Sequence, residues 1–184
     1  GGRPLRDSGH RYETLTVNTI IQKSSNIGTA KIALAMGDKR LYQVLSRFGF
    51  GKATGLGFRE FGEGAPVLFP AEATGIFRDL TQWDTLSITR FPIGQGVLVT
   101  PLQMVQAYSA LANDGIMMQP YIIDQIRDPR TGEERYSLPV AKCRTIRPET
   151  AVQITQAMKL VTREGGTATN VVPGEQQGCI GCHE

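Results

Sequence analysis

Ser24 and Asn26 are the first residues of this 184-residue chain whose types and spacing could perform chemistry; they stand in IIQKSSNIGTAKIALAMG, residues 20–37. A serine hydroxyl both donates and accepts hydrogen bonds, so it can relay a proton to a leaving amine. An asparagine amide offers a donor and an acceptor with which it can hold a peptide group. The same residue types are favoured at helix N-termini, so the stretch taken alone favours a turn and a helix cap.

Apolar spacing places this stretch between helices. Residues 17–21 carry apolar side chains at helical spacing, which predicts a short buried helix. A second helix is expected to start at Ser25 or Asn26 and to run to Gly37. Asp38 is expected to cap a third helix. The glycine-rich residues 49–70 then predict an ordered loop with a short pair of strands.

Residues 99–115, VTPLQMVQAYSALANDG, give the clearest helix pattern in the chain. Thr100 is a cap, Pro101 fits the first helical position, and Gln103 completes a capping box. Gly115 ends the helix. The residues expected to form its buried stripe are Met104, Ala107, Tyr108 and Leu111.

Strand patterns appear late in the chain. MMQPYIIDQIRD, residues 117–128, predicts a strand, and DPRTGEERY predicts a hairpin turn. A last helix is expected to begin at Pro148. The residues placed on one face of it are Ala151, Ile154, Met158 and Val161. Helices followed by a few strands predict an α+β fold or a helical half of an α/β domain.

Three segments together resemble a known family: QKSSNIGTAKIALAMG, RFGFGKATGLGF and IGQGVLVTPLQMVQAYSALANDG. Their order and spacing are similar to those of penicillin-binding transpeptidases, and more narrowly to the division-type class B enzymes. The resemblance implies an α+β fold, the mostly helical part of a penicillin-binding protein/serine β-lactamase-like transpeptidase domain with a few strands. Residues 1–174 would be a partial transpeptidase domain, a C-terminal-half fragment, and residues 175–184 an unassigned tail.

The resemblance assigns Ser24 and Asn26 to the family's Ser-x-Asn motif and therefore to catalysis. Ser24 would relay a proton between a lysine and the leaving nitrogen, and Asn26 would hold a substrate carbonyl or that lysine. The middle residue, Ser25, need not face the cleft. It can cap the helix while its neighbours serve the site.

A second candidate site follows the family's Gly-Gln-Gly segment. The backbone of Gly94, Gln95 and Gly96 would approach substrate, and the alternative is a tight turn. Three aromatic side chains are expected to be core rather than a substrate platform: Trp83, Phe91 and Tyr108.

Two of the family's three catalytic motifs are absent from this sequence. No serine has a lysine three residues later; Ser87 comes nearest, with Arg90, and arginine cannot act as a base. Lys-Thr-Gly is also absent, and KATG at Lys52 is a different sequence in a different place. We therefore expect a fragment of a peptidoglycan D,D-transpeptidase that is inactive alone. The alternative is a non-catalytic binding or interaction module with the same fold.

The tail contains CIGCH, the attachment pattern of c-type haem. Cys179 and Cys182 would form thioethers and His183 would bind iron. Only Glu184 follows, whereas a cytochrome builds its haem pocket from further chain, so an accidental match is favoured. Zinc is disfavoured because a well-spaced fourth ligand is lacking. No cofactor and no metal are expected.

Composition restricts the partners. Lysines and arginines number 20 against 17 acidic residues, without a basic run, so nucleic acid is not expected to bind. No apolar run is long enough for a transmembrane helix, and the polar N-terminus is not a secretory leader. The resemblance implies peptidoglycan stem peptides and β-lactams as ligands, and a membrane glycosyltransferase and division proteins as partners. It also implies anchoring in the bacterial cytoplasmic membrane, with this domain outside.

Overall fold

The computed structural model describes residues 4–8, 11–58 and 67–170. Within them the helices are α1 (Val17–Gln22), α2 (Asn26–Met36), α3 (Asp38–Arg47), α4 (Ser87–Arg90), α5 (Pro101–Ala112) and α6 (Pro148–Lys159). The strands are β1 (Gly57–Phe58), β2 (Val67–Leu68), β3 (Ile116–Met118), β4 (Gln125–Arg127), β5 (Glu134–Tyr136) and β6 (Ala141–Arg144). Short 3₁₀ turns occupy Leu80–Gln82 and Phe91–Ile93. The mixture of helices with a few short strands confirms the α+β prediction.

Helix α2 is the element around which the first half is arranged. It packs against α1, α3, α4 and the Phe91–Ile93 turn. Its buried positions are small residues, Gly28, Ala30 and Ala33, which let neighbouring helices approach closely. Helix α6 packs against both α1 and α5, and it buries Ala151 and Ala157. The predicted buried face of α6 is therefore correct at Ala151. The larger apolar residues predicted for that face are only half-buried: Ile154, Met158 and Val161.

The strands form three separate two-stranded antiparallel ladders, β1–β2, β3–β6 and β4–β5. The expected strand pair in the glycine-rich segment is confirmed by β1 and β2. The single strand expected over residues 117–128 is wrong: β3 and β4 are separate and pair with different strands. Pro120 lies between them and has no N–H to donate to a ladder. The predicted hairpin turn joins β4 to β5.

The capping box of α5 is confirmed. Thr100 Oγ1 accepts from Gln103 N at 3.1 Å, and Gln103 Oε1 accepts from Thr100 N at 2.8 Å. Of the expected buried stripe, Ala107 is buried and Met104 and Leu111 are half-buried, but Tyr108 is wrong because it is 51% exposed. The residues of α5 that are buried are Gln103, Gln106, Ala107 and Ala110.

Two glutamines occupy the buried face of α5 because that face meets backbone carbonyls. Gln103 Nε2 donates to the carbonyls of Lys52 (2.7 Å) and Thr74 (2.8 Å). Gln106 Nε2 donates to the carbonyl of Met118 at 2.8 Å. A buried amide that satisfies otherwise unpaired carbonyls is stable there, although apolar periodicity cannot reveal it.

The starts of α2 and α3 test the caps predicted at Ser25 or Asn26 and at Asp38. The start of α2 at Asn26, with Ser25 as its cap, confirms the second helix. Asp38 is not the cap of α3: Gly37 holds the cap position without a side-chain hydrogen bond, and Asp38 is the first helical residue. The short helix α1 is confirmed, but only Ile20 in it is buried.

Candidate active site

Ser25 closes the N-terminus of α2. Its Oγ accepts from Gly28 N at 2.9 Å and donates to Asp7 Oδ2 at 3.0 Å, and the residue is only 2% exposed. The other carboxylate oxygen of Asp7 accepts from Ile27 N at 3.0 Å. The first N–H groups of α2 are thus satisfied by one serine and by a carboxylate from residues 4–8. A negative charge there also complements the helix dipole.

Ser24 adopts a left-handed conformation, with φ 52°, at the C-terminal turn of α1. Its N–H donates to Ile21 O at 3.1 Å, and the N–H of Ser25 donates to Ile20 O at 3.0 Å. These two bonds form a Schellman motif, in which glycine usually holds the position of Ser24. A serine there carries strain of about 1–2 kcal/mol, and such strain clusters at functional sites.

The Ser24 side chain is exposed. Its hydroxyl makes no hydrogen bond to any residue in the described part of the chain. The adjacent Ser25 hydroxyl is fully engaged in holding the helix. The second serine is therefore the cap, as predicted, and the first has an exposed hydroxyl with no hydrogen-bond partner among the described residues.

Asn26 is the first residue of α2 and is half-buried. Its Nδ2 donates to the carbonyl of Arg6 at 3.2 Å, which fixes the side chain against residues 4–8. Its amide oxygen accepts no hydrogen bond from the described residues. That oxygen is therefore the atom with which Asn26 can accept from a substrate N–H or a lysine.

Gly94, Gln95 and Gly96 form an exposed tight turn after the 3₁₀ turn Phe91–Ile93. Gln95 N donates to the carbonyl of Arg90 at 3.0 Å, and Arg90 Nη1 donates to Gln95 Oε1 at 2.6 Å. Gly96 has φ 84°, and a Cβ on it would lie 2.7 Å from the Phe91 ring. Glycine is required there both by conformation and by space.

The two candidate sites, Ser24 with Asn26 and the turn at 94–96, are both positioned by α2 but do not contact each other through hydrogen bonds among the described residues. The Phe91–Ile93 turn before Gly94 packs on α2, the helix that Ser24 precedes. In the part of the chain that the structure describes, no hydrogen bond links Ser24 or Asn26 to the turn at 94–96. Gln95 and Gly96 line a cavity of about 340 Å³ that Ser24 and Asn26 do not line.

Ser87, the serine nearest to the nucleophile pattern, has a structural role. It is only 8% exposed, and its Oγ donates to Asp84 Oδ1 at 2.8 Å. The same oxygen accepts from the backbone N–H of Ser87 at 2.8 Å. The Ser87 hydroxyl is the main cause of a lowered pKa at Asp84. The hydroxyl is therefore bound to a carboxylate that holds the start of α4.

Glu72 is a half-buried carboxylate that holds the loop at residues 54–56, and the sequence patterns did not reveal it. Its carboxylate accepts from Thr54 Oγ1 (2.5 Å), Thr54 N (2.7 Å), Gly55 N (3.1 Å) and Leu56 N (3.2 Å). Burial raises the pKa of Glu72, but these hydrogen bonds outweigh burial and hold it below the ordinary value. A glutamate just after a glycine-rich loop is not distinctive in sequence, because its partners lie 16 to 18 residues away along the chain.

The haem pattern lies outside the described residues, since Cys179, Cys182 and His183 all follow residue 170. Among the described residues, no group of three or more His, Cys, Asp or Glu side chains could hold a metal ion. Of the three aromatic residues, Phe91 is buried and packs edge-on against half-buried Trp83 at 4.7 Å between centroids, whereas Tyr108 is largely exposed.

The family description "Penicillin binding protein transpeptidase domain" matches residues 5–178, which is most of the chain. The chain belongs to this family. It is 36% identical to penicillin-binding protein PbpB of Mycolicibacterium smegmatis over 155 residues, 82% of this chain and 22% of that protein. It is also 36% identical to peptidoglycan D,D-transpeptidase FtsI of Escherichia coli over 136 residues, 71% of this chain and 21% of that protein.

Solved structures agree with this assignment. Penicillin-binding protein 3 of Mycobacterium tuberculosis, in its ampicillin complex, superposes with a TM-score of 0.69 at 32% identity, over 81% of this chain and 30% of that chain. The transpeptidase domain of Burkholderia pseudomallei penicillin-binding protein 3 gives 0.71 at 31% identity, over 91% and 44%. The chain spans about a quarter of the length of the curated relatives that it matches.

Proposed function

We propose that this chain is part of a serine-type peptidoglycan D,D-transpeptidase that cross-links stem peptides during cell wall synthesis and division. The observation that carries the proposal is Ser24, whose backbone is strained and whose exposed hydroxyl has no hydrogen-bond partner among the described residues, beside the buried cap Ser25 in a chain of the transpeptidase family. A serine needed only for the helix would resemble Ser25. Ser24 instead holds a position where glycine would cost less.

In the proposed reaction, a serine oxygen of the full-length protein attacks the carbonyl between the last two D-alanines of a stem peptide. An acyl-serine ester forms, and the terminal D-alanine leaves as an amine that gains a proton. Ser24 relays that proton from the catalytic lysine to the leaving nitrogen. An amine of a second stem peptide then attacks the ester, forms the cross-link and frees the serine. The nucleophile and its lysine are absent from these 184 residues, so the rest of the protein would supply them.

Asn26 and the turn at 94–96 would hold the peptide. The amide oxygen of Asn26, which accepts no hydrogen bond from the described residues, can accept from a substrate N–H or from the lysine. Gly94, Gln95 and Gly96 bring an exposed backbone to the rim of a cavity, where an extended peptide could lie. These roles rest on the family motif and on the exposure of the groups. No metal or cofactor takes part in the proposed steps.

The partners and the location are proposed by analogy. β-Lactams would acylate the same serine; the Mycobacterium tuberculosis relative was solved with ampicillin and with aztreonam. A membrane glycosyltransferase and division proteins would act beside the enzyme, which would be anchored in the bacterial cytoplasmic membrane with this domain outside. Across the described residues, none of the helices has the length and apolar content needed to cross a membrane.

Labelling with a fluorescent penicillin tests the proposal. The full-length protein should form a denaturation-resistant adduct, and should cross-link two D-Ala-D-Ala stem peptides with release of D-alanine. The 184-residue chain alone should not be labelled, because no serine in it has an activating lysine at the family spacing. A folded full-length protein that is never labelled would favour the non-catalytic binding module instead.

A further inference from the structure

A surface cavity of about 340 Å³ lies beside α4 and the turn at 94–96. Two arginines, Arg78 and Arg90, line it together with one carboxylate, Asp84. Leu86 and the ring of buried Phe91 supply its apolar surface. The volume falls within the range of small-molecule sites, and none of the roles proposed above uses the two guanidinium groups. We call it the arginine cavity.

The one carboxylate of the arginine cavity, that of Asp84, already accepts hydrogen bonds from the start of α4. Asp84 Oδ1 accepts from Leu86 N at 3.0 Å, and from the N–H and the hydroxyl of Ser87, each at 2.8 Å. These bonds stabilise the charged carboxylate where it holds the start of α4. The lining therefore carries two positive charges and one negative charge, and the negative charge attracts Arg78 while its Oδ1 holds the start of α4.

Neither guanidinium group forms an ion pair within 4.0 Å with a described residue, although the positive charge of Arg78 contributes to the lowered pKa of Asp84. Both ion pairs within 4.0 Å in that part of the chain lie in the β4–β5 hairpin. Arg90 Nη1 donates to Gln95 Oε1 at 2.6 Å, a neutral acceptor, and no other described residue accepts from the Arg90 side chain. Unused guanidinium N–H groups next to an apolar surface are suited to a carboxylate attached to an apolar chain.

We propose that the arginine cavity binds a carboxylate of the stem peptide, and that Arg90 and Arg78 determine this specificity. The substrate class rests on the proposed function. Stem peptides differ in charge at their third residue: lysine ends in an ammonium group, whereas diaminopimelate carries an additional side-chain carboxylate. Arg90 would bind that carboxylate with its free N–H groups, while its bond to Gln95 keeps the turn at 94–96 in place. The peptide with diaminopimelate is the preferred ligand.

The fluorescence of Trp83 can report ligand binding to the arginine cavity, because Trp83 is the single tryptophan of the chain. Its indole packs edge-on against Phe91, and its Nε1 donates to the carbonyl of Arg78 at 3.1 Å. Both neighbours line the arginine cavity, so occupation should change tryptophan fluorescence. The titration uses the 184-residue chain and four synthetic D-Ala-D-Ala pentapeptides: with diaminopimelate, with its side-chain carboxamide, with lysine, and with diaminopimelate and an amidated C-terminus.

The diaminopimelate peptide should bind about 10- to 100-fold more tightly than its side-chain carboxamide or the lysine peptide, since a charged hydrogen bond is lost in each. Amidation of the C-terminus should have little effect; a loss confined to that peptide would overturn the side-chain assignment and move the recognised carboxylate to the C-terminus. Arg90→Gln and Arg78→Gln should each weaken binding, and Arg90→Lys should restore part of it. Arg130→Gln, the same change in the exposed β4–β5 hairpin, should leave binding unchanged.

Equal affinity for the acid and the carboxamide, or the absence of a saturable change, would overturn the proposal. So would an Arg130→Gln effect as large as that of Arg90→Gln. If the arginine variants melt early, the unmodified chain still decides: ionic strength raised from about 0.01 M to about 1 M should weaken binding of the acid and not of the carboxamide. The titration needs no acylation. A full-length protein that penicillin fails to label would therefore refute the proposed function and leave this measurement intact.

Discussion

Ser25 and Asp7 are joined by a hydrogen bond of 3.0 Å between the serine hydroxyl and the aspartate carboxylate, 18 residues apart in the chain. The same hydroxyl accepts from Gly28 N, so it is used both as a donor and as an acceptor. This pair fixes the start of α2 and explains why the neighbouring Ser24 is held in a left-handed turn with its side chain exposed. The helix cap and the candidate proton relay are adjacent residues, and the hydrogen bonds that hold the cap do not involve the Ser24 side chain.

Removing the cap should destabilise the fold measurably. Ser25→Ala leaves the buried Gly28 N–H without an acceptor, and we expect a loss of about 1–2 kcal/mol in the free energy of unfolding. Asp7→Asn should cost less, because its amide oxygen can still accept from Ile27 N. Chemical denaturation of the two single variants and the double variant gives a coupling energy, expected at about 0.5–1.5 kcal/mol.

Ser109→Ala is the matched control for that cycle, since Ser109 is exposed on α5. It should change stability by less than about 0.5 kcal/mol. Additive effects of Ser25→Ala and Asp7→Asn would contradict the bond between the two side chains.

Glu72 should make the fold sensitive to acid. Its pKa in the folded protein lies below the ordinary value of 4.5, because hydrogen bonds from Thr54, Gly55 and Leu56 outweigh burial. A carboxylate with a lowered folded pKa contributes stability that is present above its unfolded pKa and is lost as pH falls through the folded value. Melting temperature should therefore fall as pH decreases below about 4.5.

Glu72→Gln should lower stability at neutral pH by about 1–3 kcal/mol and flatten the acid side of the profile. Glu164→Gln, the same change at an exposed side chain, should keep the profile of the unmodified chain. A Glu72→Gln profile with the unmodified acid slope would show that this carboxylate does not carry the effect.

The sequence predicted best those features that are encoded locally. The box of Thr100 and Gln103, the cap at Ser25 and the turn between β4 and β5 each depend on residues within four positions. The buried face of α5 was mispredicted because burial there depends on carbonyls of distant residues: Gln103 reaches Lys52 and Thr74. Periodicity treats a glutamine as polar and an exposed Tyr108 as apolar, so it assigns the wrong face.

The candidate site was likewise predictable only in part. The motif with the following glycine-rich segments identified Ser24 and Asn26, whose roles stay predictions. The strain at Ser24 and the donation from Asn26 to Arg6 could not be read from the sequence, since both depend on the turn after α1 and on residues 4–8. The arginine cavity was missed because Arg78 and Arg90 are twelve positions apart and follow no motif.

The turn at 94–96 offers a matched pair of glycine substitutions. Gly94 and Gly96 both have positive φ, but a Cβ on Gly94 meets nothing within 4 Å, whereas one on Gly96 lies 2.7 Å from Phe91. Gly94→Ala should cost about 1 kcal/mol from strain alone. Gly96→Ala should cost about 1–3 kcal/mol more, because a buried ring must move. It should also shift the emission of Trp83, which packs on that ring. Equal losses and unchanged emission for both variants would contradict the packing of Gly96 on Phe91.

Substitutions at Ser24, Ser25 and Asn26 in the full-length protein separate catalysis from capping. Ser24→Ala removes the exposed hydroxyl and no hydrogen bond of the described residues, so stability should change by less than about 0.5 kcal/mol. If Ser24 relays the proton, penicillin acylation should slow by about 10²–10⁴-fold. Ser24→Gly relieves the left-handed strain and should raise the melting temperature while acylation falls equally.

Ser25→Ala should show the opposite balance, with a lower melting temperature and near-normal acylation below that temperature. Asn26→Ala should slow acylation, because the amide that holds the peptide or the lysine is gone, and it should lose only the single bond to Arg6. The measurement is the acylation rate beside the melting temperature for each variant. If Ser24→Ala acylates normally and Ser24→Gly is simply more stable, the strained serine has no part in the chemistry, and these residues form a turn and a cap alone.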